Sequence, residues 1–178
     1  MRAGHGHAGP VPMSPYVAGM RARIGDDLLL LPTIAVAVFD DAGRLLMAEH
    51  VEGGRWSVIG GGVEPEEDPA DAARREVAEE VGLAVELRGI VGVYGGPDCR
   101  NHYANGHQVA FVAALYAASL VGEVPGTTDG EISATGWFDE PGVAALDTPD
   151  WTSRAVADAF GWWRAHGTAP GQPSFDRA

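Results

Sequence analysis

The sequence has one cysteine, few basic residues and no long apolar run, and each shortage excludes a class of protein. Cys99 is the single cysteine, so an intrachain disulfide framework is excluded. The 12 Lys and Arg residues are outnumbered by 25 Asp and Glu residues, and the net charge of -13 disfavours nonspecific binding to nucleic acid or to anionic membranes. The longest apolar stretch, around residues 28–39, is interrupted by Pro32 and is too short to span a bilayer.

The two ends of the chain also lack the residues that build a core. The N-terminal residues contain no apolar segment of the kind a signal peptide needs, so we expect a cytoplasmic protein. We predict a disordered tail at residues 1–15, which are rich in Gly, Pro and His, and a flexible tail at residues 167–178. Residues 16–166 are predicted to form a single domain, because 46% of the chain is hydrophobic and this length can bury one good core.

Apolar runs and turn residues predict strands around a central helix. This helix follows a glycine-rich turn at residues 60–62, starts with Asp68 as N-cap and Pro69 at its first position, and stops at Gly82. The pattern predicts an α/β protein, an α/β/α sandwich with a mixed β-sheet. Strands are predicted at residues 33–39, 44–50, 55–59, 85–94, 107–117 and 132–138, a loop at 95–106, and further helices at 16–23 and 151–165.

The central helix carries a concentration of negative charge. Eight of the 25 acidic residues lie between Glu64 and Glu80, and Glu76, Glu79 and Glu80 have the i, i+3, i+4 spacing that puts them on one helical face. Carboxylates at this spacing repel one another unless a cation lies among them, and oxygen ligands suit Mg²⁺ first and Mn²⁺ next. A solvated acidic face is the alternative interpretation. A calcium-binding structural domain is a third, but the sequence lacks the D-x-D-x-D-G loop of the common calcium site.

The acidic helix and the glycines before it also fit a longer pattern, G-x5-E-x7-R-E-U-x-E-E-x-G-U, in which U is aliphatic. Its positions are filled by Gly61, Glu67, Arg75, Glu76, Val77, Glu79, Glu80, Gly82 and Leu83. Residues 61–83, called the box below, thereby resemble the signature of the Nudix hydrolases, and the chain resembles the ADP-ribose pyrophosphatase-like bacterial members. The resemblance implies the Nudix fold and hydrolysis of a nucleoside diphosphate linked to another moiety.

The resemblance assigns roles to individual box residues. It implies that Glu76, Glu79 and Glu80 bind the catalytic metal, with a further ligand from the carbonyl of Gly61. Glu67, Arg75 and Gly82 match structural positions of the box, with Arg75 also counted in the catalytic group.

Two features outside those roles stay open at this stage. Glu131 stands in a later loop that often supplies another ligand or the base, and the choice of base between Glu79 and Glu131 remains open. Glu66 occupies a place where a glycine is common, so a positive φ there would be strained by roughly 1–2 kcal/mol.

Substrate identity follows less directly from the residues. ADP-ribose-like compounds are favoured because Pro97 lies near a proline that the ADP-ribose hydrolases of the family tend to carry, although a Gly-Pro turn needs no functional reason. Trp56, His102 and Tyr103 are candidates for stacking on a base, or else packed aromatic and turn residues. Nucleotide sugars, CDP-alcohols and nucleoside triphosphates are less favoured substrates. The alternative function is a nucleotide-sensing module without turnover. We expect no nucleic-acid or membrane partner, and a homodimer is possible by analogy with the family.

Overall fold

A computed structural model describes residues 13–51, 53–103, 105–124 and 130–167. The predictions for the two tails therefore concern mostly residues that lie outside the described ranges, and the domain limits stay predictions. The helices are α1 (Pro15–Ile24), α2 (Pro69–Val81), α3 (Glu140–Ala144) and α4 (Asp150–His166). The strands are β1 (Leu29–Phe39), β2 (Leu45–His50), β3 (Trp56–Ser57), β4 (Ile59–Gly62), β5 (Leu83–Tyr94), β6 (Arg100–His102), β7 (Gln108–Glu123) and β8 (Ile132–Phe138).

The strands form one mixed sheet in the order β3-β2-β1-β7-β5. Strands β1 and β7 run parallel, whereas the other pairs are antiparallel; β4 pairs with β1, β6 with β7 and β8 with β2. Both faces of β1 are buried along residues 34–39, which explains why this strand is continuously apolar. Its alternate residues face α2 on one side and α4 on the other. The predicted α/β/α sandwich is confirmed.

The region around the glycines differs from the expectation. Residues 60–62 were expected to form a turn, but they belong to β4, where Gly60 pairs with Ala35 and Gly62 with Thr33 of β1. A Cβ on Gly60 would collide with the carbonyl oxygen of Ile34, so this close pairing requires glycine. Glycine has a low strand propensity, so the sequence did not predict this strand.

Other boundaries were also misplaced. The expected loop at 95–106 contains β6, which forms a hairpin with β7 closed by hydrogen bonds between Tyr103 and His107 (3.0 Å) and between Gly106 and Tyr103 (2.9 Å). The strand expected to end at 117 continues to Glu123, because β5 pairs with it over that whole length. The five-residue helix α3 was missed.

The loop that leads into α2 contains the backbone strain expected from the sequence. Glu66 has φ 69°, the only positive φ of a non-glycine residue among those described. No helix in the described ranges combines the length and the apolar character needed to cross a membrane.

Candidate active site

The box helix α2 is oriented by its caps and by its apolar face. The Asp68 side chain accepts a hydrogen bond from the backbone N–H of Ala70 (3.2 Å), and Gly82 ends the helix in the left-handed conformation with φ 67°. Ala73 and Val77 are fully buried against the sheet. This packing places the Glu76 carboxylate beside Gly61 of β4, while Glu79 on the same helix is exposed.

The glycine strand β4 lies directly against the carboxylates of α2. A Cβ on Gly61 would overlap the Glu76 carboxylate, so glycine at this position lets the carboxylate keep its place against the backbone. The backbone N–H of Gly60 donates to Oε1 of Glu80 (3.3 Å), and Glu80 is only 3% exposed. The strand and the helix therefore form one unit in which glycines and glutamates face each other.

Arg75 ties this unit to the preceding loop. Its guanidinium binds Glu67 through two hydrogen bonds, Nε to Oε1 (2.7 Å) and Nη2 to Oε2 (2.9 Å). Nη1 donates to Glu76 (2.8 Å) and to Glu79 (3.0 Å), and Nη2 also reaches the carbonyl of Gly62 (3.0 Å). One side chain thus joins the loop, the glycine strand and the helix.

The charges in this network shift the acidity of their neighbours. The hydrogen bonds from Arg75 hold the pKa of Glu67 below its ordinary value, in spite of partial burial. Burial raises the pKa of Glu76 above its ordinary value, and the neighbouring carboxylates of Glu79 and Glu67 add to the rise while Arg75 opposes it. The hydrogen bonds to Glu67 are the largest cause of the raised pKa of Arg75 itself, so this guanidinium stays charged.

We expect Arg75→Lys to reduce turnover although the positive charge is kept. The ammonium group lacks the planar fork that binds Glu67 at two points while contacting Glu76 and Glu79. One charge-assisted hydrogen bond is worth about 1.5–3 kcal/mol, so we expect at least a roughly tenfold loss of kcat. Steady-state kinetics measures it, with Arg74→Lys on the same helix as the matched control, because Arg74 contacts the exposed Asp71. Full activity of Arg75→Lys contradicts the bracing role.

A cavity of about 770 Å³ opens beside these residues. Its wall includes residues 60–62, Arg75, Glu76, Glu79 and also Glu131, although Glu131 is distant from the box in sequence. The backbone carbonyl of Glu131 accepts a hydrogen bond from Val51 (2.9 Å), which attaches this residue to the end of β2. The aromatic residues of the wall are Tyr16, Tyr103, Phe111 and Trp151.

The remaining sequence candidates lie elsewhere. Trp56 packs edge-on against Phe138, with ring centroids 5.4 Å apart, and is not part of the cavity wall. Pro97 and His102 are exposed and are also not among the described residues of the wall. Glu80 lies behind Gly60 rather than in the wall.

Sequence reasoning missed Phe111 and Trp151, whose rings pack edge-on with their centroids 6.1 Å apart. Their patterns indicate only a buried strand and an amphipathic helix. No signal in either pattern could have identified them as wall residues, because they come from β7 and α4, which meet only in the folded chain.

The donor atoms of the site determine which kind of metal ion it suits. Across the described ranges, no three His, Cys, Asp or Glu side chains form a ready-made metal cluster, and Arg75 lies between Glu76 and Glu79. The acidic groups that reach the cavity are nevertheless all oxygen donors, which suits a hard divalent cation. Because Gly61 has no Cβ, the Glu76 carboxylate lies directly against the backbone of the glycine strand. The residues present therefore fit Mg²⁺ or Mn²⁺ better than a soft metal.

Comparisons with known proteins agree with this geometry. The NUDIX domain family matches residues 29–159. A MutT-like protein of Streptomyces ambofaciens is 30% identical over 128 residues, which cover 72% of this chain and 70% of that protein. The crystal structure of a MutT NUDIX hydrolase from Burkholderia pseudomallei superposes with a TM-score of 0.60 at 28% identity, covering 73% of this chain and 98% of that one.

Another relative, which matches over a shorter stretch, has a different name. RNA pyrophosphohydrolase of Pseudomonas fluorescens is 40% identical over 55 residues. This match covers 31% of this chain and only 35% of that relative. The chain belongs to the NUDIX family and is a Nudix pyrophosphohydrolase. Members of this family generally use divalent metal ions.

Proposed function

We propose that this enzyme hydrolyses the diphosphate bond of a small nucleoside diphosphate derivative, with Mg²⁺ as its cation and Mn²⁺ as a substitute. The observation that carries the proposal is a single cavity that combines carboxylates and glycines with aromatic side chains. The first group suits a metal-bound diphosphate, and the second suits a nucleoside. ADP-ribose-like compounds are the first candidates, on the resemblance at Pro97.

The length of the cavity supports a substrate larger than a bare diphosphate. Gly60 pairs with Ala35 of β1, and Phe111 of β7 pairs with Leu31. Leu31 and Ala35 are four positions apart along β1, which corresponds to about 13 Å at the rise of a strand. A diphosphate at the glycines therefore leaves room for an attached nucleoside beside Phe111 and its neighbour Trp151. Rings of this kind stack on any nucleobase.

The residues of the carboxylate end suit water attack on a phosphorus atom. Glu76, Glu79 and Glu131 would hold the cation, with Glu80 and the carbonyl of Gly61 as further ligands. When bound, a divalent cation there supplies positive charge to the phosphoryl oxygens and lowers the pKa of the attacking water. Glu79 or Glu131 takes the proton of that water. Arg75 holds Glu67, Glu76 and Glu79 in place and does not need to touch the substrate.

A small substrate is favoured over RNA by charge. The net charge of -13 disfavours binding to a nucleic-acid backbone. The acidic site would likewise repel a free polyphosphate, which supports binding through a cation.

A hydrolysis screen tests the proposal. We expect Mg²⁺-dependent cleavage of ADP-ribose into AMP and ribose 5-phosphate, detected by ion-exchange chromatography, and no cleavage when EDTA is present. Nucleotide sugars, a CDP-alcohol, dinucleoside polyphosphates, nucleoside triphosphates and an RNA oligonucleotide with a 5′-triphosphate are assayed in parallel. Cleavage of the RNA alone contradicts the small-molecule proposal, and cleavage of none of these compounds contradicts the proposed function.

A further inference from the structure

Helix α1 is attached to the rest of the protein in an unusual way. Within this helix, all of which is described, Arg21 is the only buried residue, at 6% exposure. Val17, Met20 and Ile24 lie on the same face as Arg21 but are only half-buried, so apolar packing holds this helix less completely than most helices of a globular protein. Part of its attachment must therefore come from polar contacts.

The Arg21 guanidinium supplies that attachment. It donates hydrogen bonds to three backbone carbonyls: Gly25 (3.2 Å) and Asp27 (2.7 Å) at the end of α1, and Gln108 (2.6 Å) at the start of β7. A buried charge must be hydrogen-bonded, and here one rigid planar group binds both elements at once. The bond to Gln108 joins α1 directly to the β6–β7 hairpin.

A second contact lies beside the first. The Asp26 carboxylate is 3.8 Å from Nε2 of His107, in the turn of the same hairpin. A Cβ on the neighbouring Gly106 would lie only 3.3 Å from the Asp26 side chain. The end of α1 is thus held against the β6–β7 hairpin by these contacts. The start of α1 takes no part in them.

The start of α1 forms part of the cavity wall. Ser14, Tyr16 and Val17 line the cavity, and Tyr103 lines it from the hairpin to which Arg21 is bonded. Tyr16 is 43% exposed and Tyr103 is 40% exposed, so each ring presents a face that a ligand could cover. Large exposed aromatic rings that line a cavity are typical of a binding surface.

We propose that Arg21 is a positioning residue that holds α1 as a wall of the substrate cavity, and that Tyr16 on this wall contacts the nucleoside part of the substrate. The inference rests on the proposed function. All three carbonyls bonded to Arg21 belong to α1's own end and to β7, so Arg21 does not touch the box. Its loss affects substrate binding and leaves the chemical step unchanged.

The kinetic test compares two arginines of the same helix. Arg21→Met is expected to raise KM for the best nucleoside diphosphate derivative about tenfold, the scale of one lost stacking contact, with kcat within about twofold of wild type. Arg23→Met is the control, because Arg23 is exposed. Tyr16→Ala is expected to reproduce the rise in KM without any risk to folding, and Tyr16→Phe, which keeps the ring, is expected to restore it.

A second readout is independent of activity. Trypsin is expected to cut after Arg23 faster in Arg21→Met than in wild type, because α1 loses the hydrogen bonds that Arg21 makes to Gly25, Asp27 and Gln108. An unchanged KM in both Arg21→Met and Tyr16→Ala overturns the inference, whatever the cleavage rate, while wild-type hydrolysis leaves the proposed function standing. A wild type that hydrolyses no nucleoside diphosphate derivative overturns the proposed function itself. A fall in kcat with constant KM also overturns the inference, since it would assign α1 to the chemical step.

Discussion

Replacing Glu79 or Glu80 with Gln is expected to remove nearly all turnover while leaving the fold intact. Gln has the same shape, and its amide oxygen can still accept the hydrogen bond that Glu80 receives from Gly60. It carries no charge, however, and is a poor ligand for a hard cation. We expect a loss of kcat of at least about 10²-fold for either variant, the usual scale when a catalytic acid–base group is lost.

Two measurements separate this loss from misfolding. Thermal unfolding without metal is expected to be unchanged or slightly more favourable to the folded state, because one of several repelling carboxylates is removed. Asp71→Asn on the same helix is the matched control, since Asp71 is exposed and pairs with Arg74, and it is expected to keep wild-type turnover. A wild-type enzyme that stays active in EDTA would show that no cation is bound by these glutamates.

Glu131→Gln is expected to lower kcat strongly with little change in KM, the pattern of a group that acts mainly in the transition state. The prediction rests on Glu131 lining the same cavity as Glu76 and Glu79 while its backbone is held by Val51. We expect a loss of about 10²–10⁴-fold, the range for general-base catalysis. Glu123→Gln is the control, because Glu123 is an exposed residue at the end of β7.

The pH dependence distinguishes the two candidates for the base. A base must be deprotonated to act, so the activity of the wild type falls as pH drops below its pKa. If Glu131 is the base, this acidic limb disappears from the profile of Glu131→Gln. An unchanged kcat and an unchanged limb would assign the base to Glu79.

The sequence predicted the elements whose signals are local. The start and end of α2 were predictable because Asp68 and Gly82 act within one turn of the helix. The positive φ of Glu66 was predictable from the glycine common at that place. Strand β4 was not predictable, because its hydrogen bonds are made to β1, more than twenty residues earlier in the chain.

The candidate site divides in the same way. The carboxylate end was predictable because Glu67, Arg75, Glu76 and Glu79 belong to one loop and the helix that follows it, so their spacing already determines which side chains meet. Trp56 illustrates the opposite case. The sequence around Trp56 is compatible with stacking on a base or with packing inside the protein. Its contact with Phe138 of β8 arises only when the sheet forms.

The sequence by itself determined the family, the reaction class and the grouping of carboxylates on α2, because the residues concerned are contiguous and their geometry follows from one helix. Only the tertiary structure decided the rest of the cavity. Tyr16, Phe111, Trp151 and Glu131 come from α1, β7, α4 and the segment before β8, and long-range packing brings them into the wall of one cavity with the glycine strand. Side chains that meet across such distances in the chain leave no spacing pattern, since the contacts depend on how the sheet orders its strands.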